Sequence, residues 1–311
     1  MLHTTPMQRI MNHFTSKILM VCPSKFRNNE HTLLDNVFQS KKTDKNQIQY
    51  LATKEFNRLT ELISNSGIEV FSFDDDSKFD TPDAVFPNNW ISFHYHHKAV
   101  IYPMFASNRR FERESKILDK LSGSGIEIEL IKDYSLYENE NRFLEGTGSI
   151  VLNRKSKKAY CSLSGRSDLS LFKKFCNDMS YIPVFFNSSH QSKPIYHTNV
   201  MMSICNNFVI ICLDSIKNEQ ERNNIIKNLN ESGLEIIDIS IDQMTSYLAN
   251  SIQLINSDQS PILIMSSRAF NSISKSQIKR IELYTEIIHS DIRTIEDNGG
   301  GSARCMIAEI F

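Results

Sequence analysis

Hydrophobic positions along this chain change period at regular intervals. Over 48–67, IQYLATKEFNRLTELISNSG, apolar residues fall three and four apart, the spacing of a helix with one buried face, and the run stops at glycine. A β-rich run, IEVFSF, follows directly. The same order of helix, glycine stop and strand returns in SGSGIEIELI (122–131) and NESGLEIIDIS (230–240). Weaker copies are CNDMSYIPVFF (176–186) and EIIHSDIRTIE (286–296). With Gly67, Gly125, Ser180, Gly233 and Ser290 as markers, the units repeat every 53 to 58 residues. Between the markers lie paired β-rich runs, such as WISFHYH with KAVIYPM, GSIVLN with KAYCSL, and TNVMMSI with FVIICL. These patterns predict an α/β fold, a five-bladed α/β propeller of ββαβ-type repeats around a pseudo-five-fold axis. A doubly wound open sheet gives no reason for so regular a recurrence.

The expected boundaries are a flexible N-terminal tail over 1–15 and a single α/β-propeller catalytic domain over 16–311. The first twenty residues lack a signal-peptide apolar core and are basic without acids, faintly like a transit peptide. Met7, Met11 and Met20 offer alternative starts, so a badly chosen or disordered start is the reading preferred for this stretch.

Composition narrows the function. A formal net charge of −1 without a basic tract argues against nucleic acid or an acidic membrane as partner. The most apolar stretch, FVIICL, is strand-sized, and no membrane partner is expected. The six cysteines include no CxxC pair, which points to reduced thiols in a cytoplasmic protein rather than to a disulfide framework or a structural zinc site. His94, His96 and His97, in HYHH, resemble a ligand cluster. Strand alternation sets His97 opposite the other two, so a surface strand is expected there, and neither metal nor cofactor.

In a radial fold, loops from different units converge on one pocket. Four polar clusters qualify: TPDAVFPNNW (81–90), NRFLEGTGS (141–149), PIYHTNVMM (194–202) and NGGGSARCM (298–306). A lone cysteine is usually a small buried hydrophobe, and Cys161, Cys176, Cys205 and Cys212 sit in apparent strands or a helix. Cys305 differs in following a glycine loop. His197 precedes an apolar strand, and Glu145 stands between Leu144 and Gly146. Together the three supply nucleophile, acid–base and orienting carboxylate.

FPNNW, LEGTGS, HTN and GGGSARCM resemble the amidinotransferase and arginine-deiminase superfamily of guanidino-group-modifying enzymes, the penteins, in particular its citrulline-utilisation hydrolase-like branch. The resemblance runs from about residue 20 to the C-terminus. It implies a five-bladed propeller with Cys305 as nucleophile, His197 as general acid–base and Glu145 steering the imidazole into its protonated form. It further implies Asn89 and Asn199 at the substrate's reacting nitrogens, Arg166 of SGRSD on the substrate carboxylate, and Asp83 among the substrate-binding residues. Relatives commonly carry aspartates at the two asparagine positions, and an arginine where Cys22 precedes Pro23.

The partner expected is a small amino acid, and a homodimer is left open. Because a ureido group is neutral and a guanidinium cationic, the two amides tilt the expected substrate toward citrulline, cleaved to ornithine, ammonia and carbon dioxide. Arginine deimination and amidino transfer to an amine are the alternatives. A non-catalytic binding protein on the same fold is the alternative from another class. Backbone N–H groups around Gly300 and Gly301 are candidates for facing developing charge.

Overall fold

The computed structural model describes residues 13–32, 45–76 and 78–311. Its plan is one three-stranded sheet repeated five times. In each, two strands form an antiparallel pair, and the second also pairs in parallel with a third strand that arrives after a helical segment. The sheet of Met202–Ile204, Phe208–Ile211 and Glu235–Asp238 is representative, with helix Glu219–Glu231 as its crossover. Asn218 starts that helix by accepting hydrogen bonds from the backbone N–H groups of Gln220 and Glu221, which otherwise have no helical partner. The final sheet joins the two ends of the described chain: Ala308–Ile310 pairs antiparallel with Lys17–Cys22, which runs parallel to Glu69–Asp74. A two-residue ribbon, Ser189–His190 with Lys193–Pro194, stands apart from this plan.

Period-two alternation sends each strand's side chains into two different cores. From Lys17–Cys22, Ile18 and Met20 enter a core with Phe56 and Leu254, whereas Leu19 and Val21 enter another with Ile91 and Phe93. Both faces of the strand are therefore covered. Each such fully buried side chain contributes about 1.5–3 kcal/mol of transfer free energy.

The markers Gly67, Gly125, Ser180 and Gly233 lie just ahead of their parallel strands, and all four adopt positive φ. Ser290 does not fit: it ends strand Glu286–Ser290 rather than preceding it. The fifth unit's helix, Lys275–Ile281, ends at Glu282 without a glycine, so the punctuation that reveals the other units is missing here. Residues 1–12 of the expected tail lie outside the described residues. Thr15 is buried and its hydroxyl donates to the Ile310 carbonyl. Strand Ile91–His94 ends at His94, which is buried against the Ser92 hydroxyl; His96 and His97 form a hairpin turn at positive φ. The expected surface strand is thus a buried strand end followed by a turn.

Candidate active site

A short turn leads into the first strand of every sheet, and these turns carry the site. Asn89 and Asn250 stand two residues before their strands; Gly148, Asn199 and Cys305 stand three before theirs. Five separate segments thereby present one backbone position each, and four of the five carry a polar side chain.

Cys305 is 3% exposed, and its sulfur accepts hydrogen bonds from Asn250 Nδ2 at 3.2 Å and Asn199 Nδ2 at 3.4 Å. Asn250 grips the same residue twice, since its Oδ1 accepts from the Cys305 N–H at 3.4 Å. The glycines answer a packing demand. A Cβ on Gly301 would lie 2.9 Å from the Phe86 ring and 3.2 Å from the Cys305 Cβ, so only a bare backbone passes between them. The Gly300 N–H is spent on the Glu296 carbonyl, 2.9 Å away, and does not face the pocket as expected of it. Ser302 donates to Glu296 Oε1 at 2.6 Å, and Glu296 in turn meets Arg268 at 3.1 Å. Arg304, next to the thiol, turns away to Glu309 and the Ile307 carbonyl.

His197 Nε2 and Glu145 Oε2 are 2.7 Å apart, with the carboxylate fully buried rather than at a strand edge. The other Glu145 oxygen accepts from the Phe105 N–H at 2.9 Å, and Arg166 Nη1 reaches Oε2 at 3.5 Å. Burial alone would raise the Glu145 carboxyl, but Arg166 and then His197 outweigh it and hold its pKa at about 2. For His197 the balance differs from the expectation. Burial lowers its pKa by more than Glu145 raises it, so the resting imidazole is held toward its neutral form. Gly148 makes room for the ring: a Cβ there would lie 2.8 Å from His197 Nδ1 and 2.5 Å from Asn89 Nδ2.

A cavity is lined by Asp83, Asn89, Arg109, Arg166, His197 and Cys305 among others. Glu145 stands behind His197, and Asn199 touches the sulfur. The Arg109 guanidinium grips Glu112 through two bonds of 2.7 and 3.0 Å, donates to Asn89 Oδ1 at 2.7 Å and lies 4.0 Å from Asp83. Asp83 accepts from Asn29 at 2.7 Å through Oδ2, while Oδ1 is buried without a hydrogen-bond partner; burial raises its pKa against the pull of Arg109. Arg166 is buried, with Tyr196 5.0 Å from its guanidinium carbon, and is not a surface arginine.

Sequence reasoning missed Asn250 and Arg109. Asn250 was detectable from its place ahead of the fourth sheet. Arg109 sits in NRRFERES, which reads as a solvated charge run. Among the described residues no group of three or more His, Cys, Asp or Glu side chains is placed to hold a metal. No described helix is long and apolar enough to cross a membrane.

Similarity to known proteins agrees with this geometry. The N-terminal domain of ArgZ, an arginine dihydrolase from the ornithine–ammonia cycle in cyanobacteria, superposes with a TM-score of 0.73 at 14% identity, over 94% of this chain and 97% of that domain. Unliganded AgrE gives 0.72 at 15% identity, over 95% of this chain and 39% of AgrE. A dimethylarginine dimethylaminohydrolase adduct with S-methyl-L-thiocitrulline gives 0.63 at 15% identity, over 96% of this chain and all of that one. At such identities the likeness concerns the fold. No curated protein sequence matches the chain. The profile of a family described as N,N dimethylarginine dimethylhydrolase, eukaryotic, matches residues 22–311. With nearly the whole chain matched, the protein belongs to that family, within the guanidino-modifying pentein superfamily.

Proposed function

We propose that this protein is a cysteine-dependent hydrolase that cleaves a C–N bond at the central carbon of the ureido or guanidino group of a free α-amino acid. Its five sheets are the blades of a propeller, and citrulline is the preferred substrate. One observation carries this reading. A thiol held by two carboxamides and a hydrogen-bonded His197–Glu145 pair border a cavity whose remaining wall holds Asp83, Arg109 and Arg166.

That wall suits a zwitterionic head group. The open Asp83 oxygen accepts from an α-ammonium, and Arg166 receives an α-carboxylate, while Arg109 fixes the wall beside Asp83. The head group fixed there delivers the far end of the side chain to Cys305. The thiolate attacks the central carbon, and His197, protonated as the thiolate forms, gives its proton to the departing nitrogen. With citrulline this expels ornithine and leaves a carbamoyl group on sulfur. His197 then takes a proton from water, which attacks that carbon. Carbamate leaves, the thiolate returns, and carbamate decomposes to ammonia and carbon dioxide.

Citrulline is favoured by the neutrality of the groups nearest sulfur. Asn199 Oδ1 is buried without a partner and accepts from a ureido NH2, while amide N–H groups suit its carbonyl oxygen. A guanidinium at the same place is a buried cation and costs several kcal/mol unless carboxylates surround it. A second reading, arginine or a methylated arginine, is favoured by Glu145 and Asp83 close by and by the family itself. The test incubates the enzyme with citrulline, arginine and NG,NG-dimethylarginine and follows ornithine, citrulline, ammonia and dimethylamine. Ornithine and ammonia from citrulline, at the highest kcat/KM of the three, support the first reading. A higher kcat/KM on either guanidino compound supports the second, and no turnover of any of them defeats both.

A further inference from the structure

A second cavity has in its wall Asn199, whose amide donates to the Cys305 sulfur that lines the first. Its charge balance is unlike that of the catalytic pocket. Arg154, Lys155, Ser251 and Gln253 line it, together with the Arg304–Glu309 pair at 3.1 Å. Glu309 is therefore already matched by Arg304.

Arg154 is 6% exposed, and its guanidinium carbon lies 3.8 Å above the centre of the Phe311 ring. Nη2 donates to the Phe93 carbonyl at 3.3 Å, and the Tyr181 hydroxyl lies nearby. Nη1 has no hydrogen-bond partner, and no described carboxylate lies within ion-pairing distance of this guanidinium. Gln253 Nε2 and the Ser251 hydroxyl, both buried, likewise have no partner. The Gln253 oxygen, by contrast, accepts from the Asn206 N–H at 2.7 Å. Lys155 and Lys157 stand exposed beside them without an ion pair among the described residues. The crowding of cations registers on neighbours: burial and then these three cations lower the pKa of His13.

A buried guanidinium without a counterion is costly, and so is a buried donor without an acceptor. One guest relieves all of these costs together. It is negative, carries several acceptor oxygens and is small enough for the cavity. We propose that this second cavity is a binding site for a small oxyanion, a carboxylate or a phosphate, received by Arg154 Nη1, Gln253 Nε2 and Ser251 Oγ and attracted by Lys155. The site takes no part in the hydrolysis proposed above and stands whatever the substrate.

The test is calorimetric titration of the full chain, at low ionic strength, with inorganic phosphate and separately with succinate. Saturable binding of either anion is expected, and the tighter of the two identifies the natural class. Arg154→Gln is expected to weaken it about tenfold or more, as loss of a charge-assisted fork requires. Lys155→Glu, on the exposed rim, weakens it about three- to tenfold by reversing the local field. Arg166→Gln, in the catalytic pocket, leaves it unchanged. If Arg154→Gln does not fold, Lys155→Glu against Arg166→Gln decides. The proposal is overturned if neither anion binds saturably, or if binding falls with Arg166→Gln and not with the Arg154 or Lys155 variant.

Discussion

The two cavities use the same residue type in opposite ways. In the pocket beside Cys305 each arginine faces carboxylates: Arg109 faces Glu112 and Asp83, and Arg166 faces Glu145. In the second cavity Arg154 faces a carbonyl, a hydroxyl and an aromatic ring. The compensated network holds its members in place without a guest, as a site must when reacting atoms are to meet within about 0.5 Å of a productive geometry. The uncompensated guanidinium retains unused bonding capacity. Position in the fold does not separate the two; charge partners do.

The largest effect expected from breaking the compensated side is at sulfur. Cys305→Ala is expected to lower kcat by about 10⁴-fold or more while keeping the fold, because no other group on the pocket wall forms the covalent intermediate. Cys212 is the control: it is buried, and burial pushes its thiol up to about 11. Cys212→Ala should leave kcat within about threefold of wild type, the range left when an acid–base or nucleophilic role is not touched. Steady-state kinetics with ornithine detection reads both, and a fast Cys305→Ala enzyme ends the mechanism.

Next in size is the coupling behind His197. Glu145→Gln and His197→Ala are each expected to cost about 10²–10⁴ in kcat. Because Glu145 acts by orienting the imidazole, the double variant should be scarcely slower than His197→Ala alone. Multiplicative losses would make Glu145 a structural anion that merely neutralises Arg166.

The cavities also differ in how their buried groups answer pH. Glu112 and Glu296, on the catalytic side, have carboxyl pKa values raised by burial from 4.5 to about 7, despite their arginine neighbours. The folded state therefore holds these protons more tightly than the unfolded chain does. Their stabilising contribution is complete below pH 4.5 and is lost as pH rises through 7. Replacing Glu296 by glutamine removes its share, about 3 kcal/mol as an upper figure for such a shift, and leaves that of Glu112. Urea midpoints between pH 4.5 and 7.5 should therefore fall less steeply in the variant than in wild type. His94, near Arg154, behaves oppositely. Burial and then Arg154 and Lys157 lower its pKa well below 6.5, so its contribution is present above that value and is lost as pH falls. An unchanged slope in Glu296→Gln would place the titration elsewhere.

These groups also mark where the sequence could be read and where it could not. Cys305, His197 and Glu145, the proposed catalytic trio, could be singled out because each sits in a segment whose neighbours have no other use: three glycines before Cys305, a glycine after Glu145, a strand start after His197. Asn250, in LANS, offers no such cue; its place two residues ahead of a first strand, shared with Asn89, emerges only once the strands are aligned. Arg109 was illegible for another reason. A run dense in charge belongs on the surface by default, and it is the ion pair with Glu112 three residues on that lets this guanidinium be buried. Four units of the repeat could be counted from their helix stops. The fifth was misplaced because its helix ends at Glu282 in right-handed backbone, which needs no special residue.

The smallest effect comes from making the same conservative change on both sides of the comparison. Lysine keeps the charge of arginine but replaces its planar fork by a point charge on a flexible stem. At Arg109 the fork is in use: two nitrogens hold Glu112 and a third holds Asn89, which fixes the pocket wall beside Asp83. Lysine can reach only part of that set. Arg109→Lys should therefore raise KM for the amino-acid substrate about tenfold, near 1.4 kcal/mol, with a smaller change in kcat. At Arg154 no substrate bond is at stake, and Arg154→Lys should leave KM and kcat within about twofold of wild type while still weakening oxyanion binding. Initial-rate kinetics over a substrate series, with a phosphate or succinate titration of each variant, gives both numbers. If Arg154→Lys raises KM as much as Arg109→Lys does, the two cavities act as one site and the division by charge compensation fails.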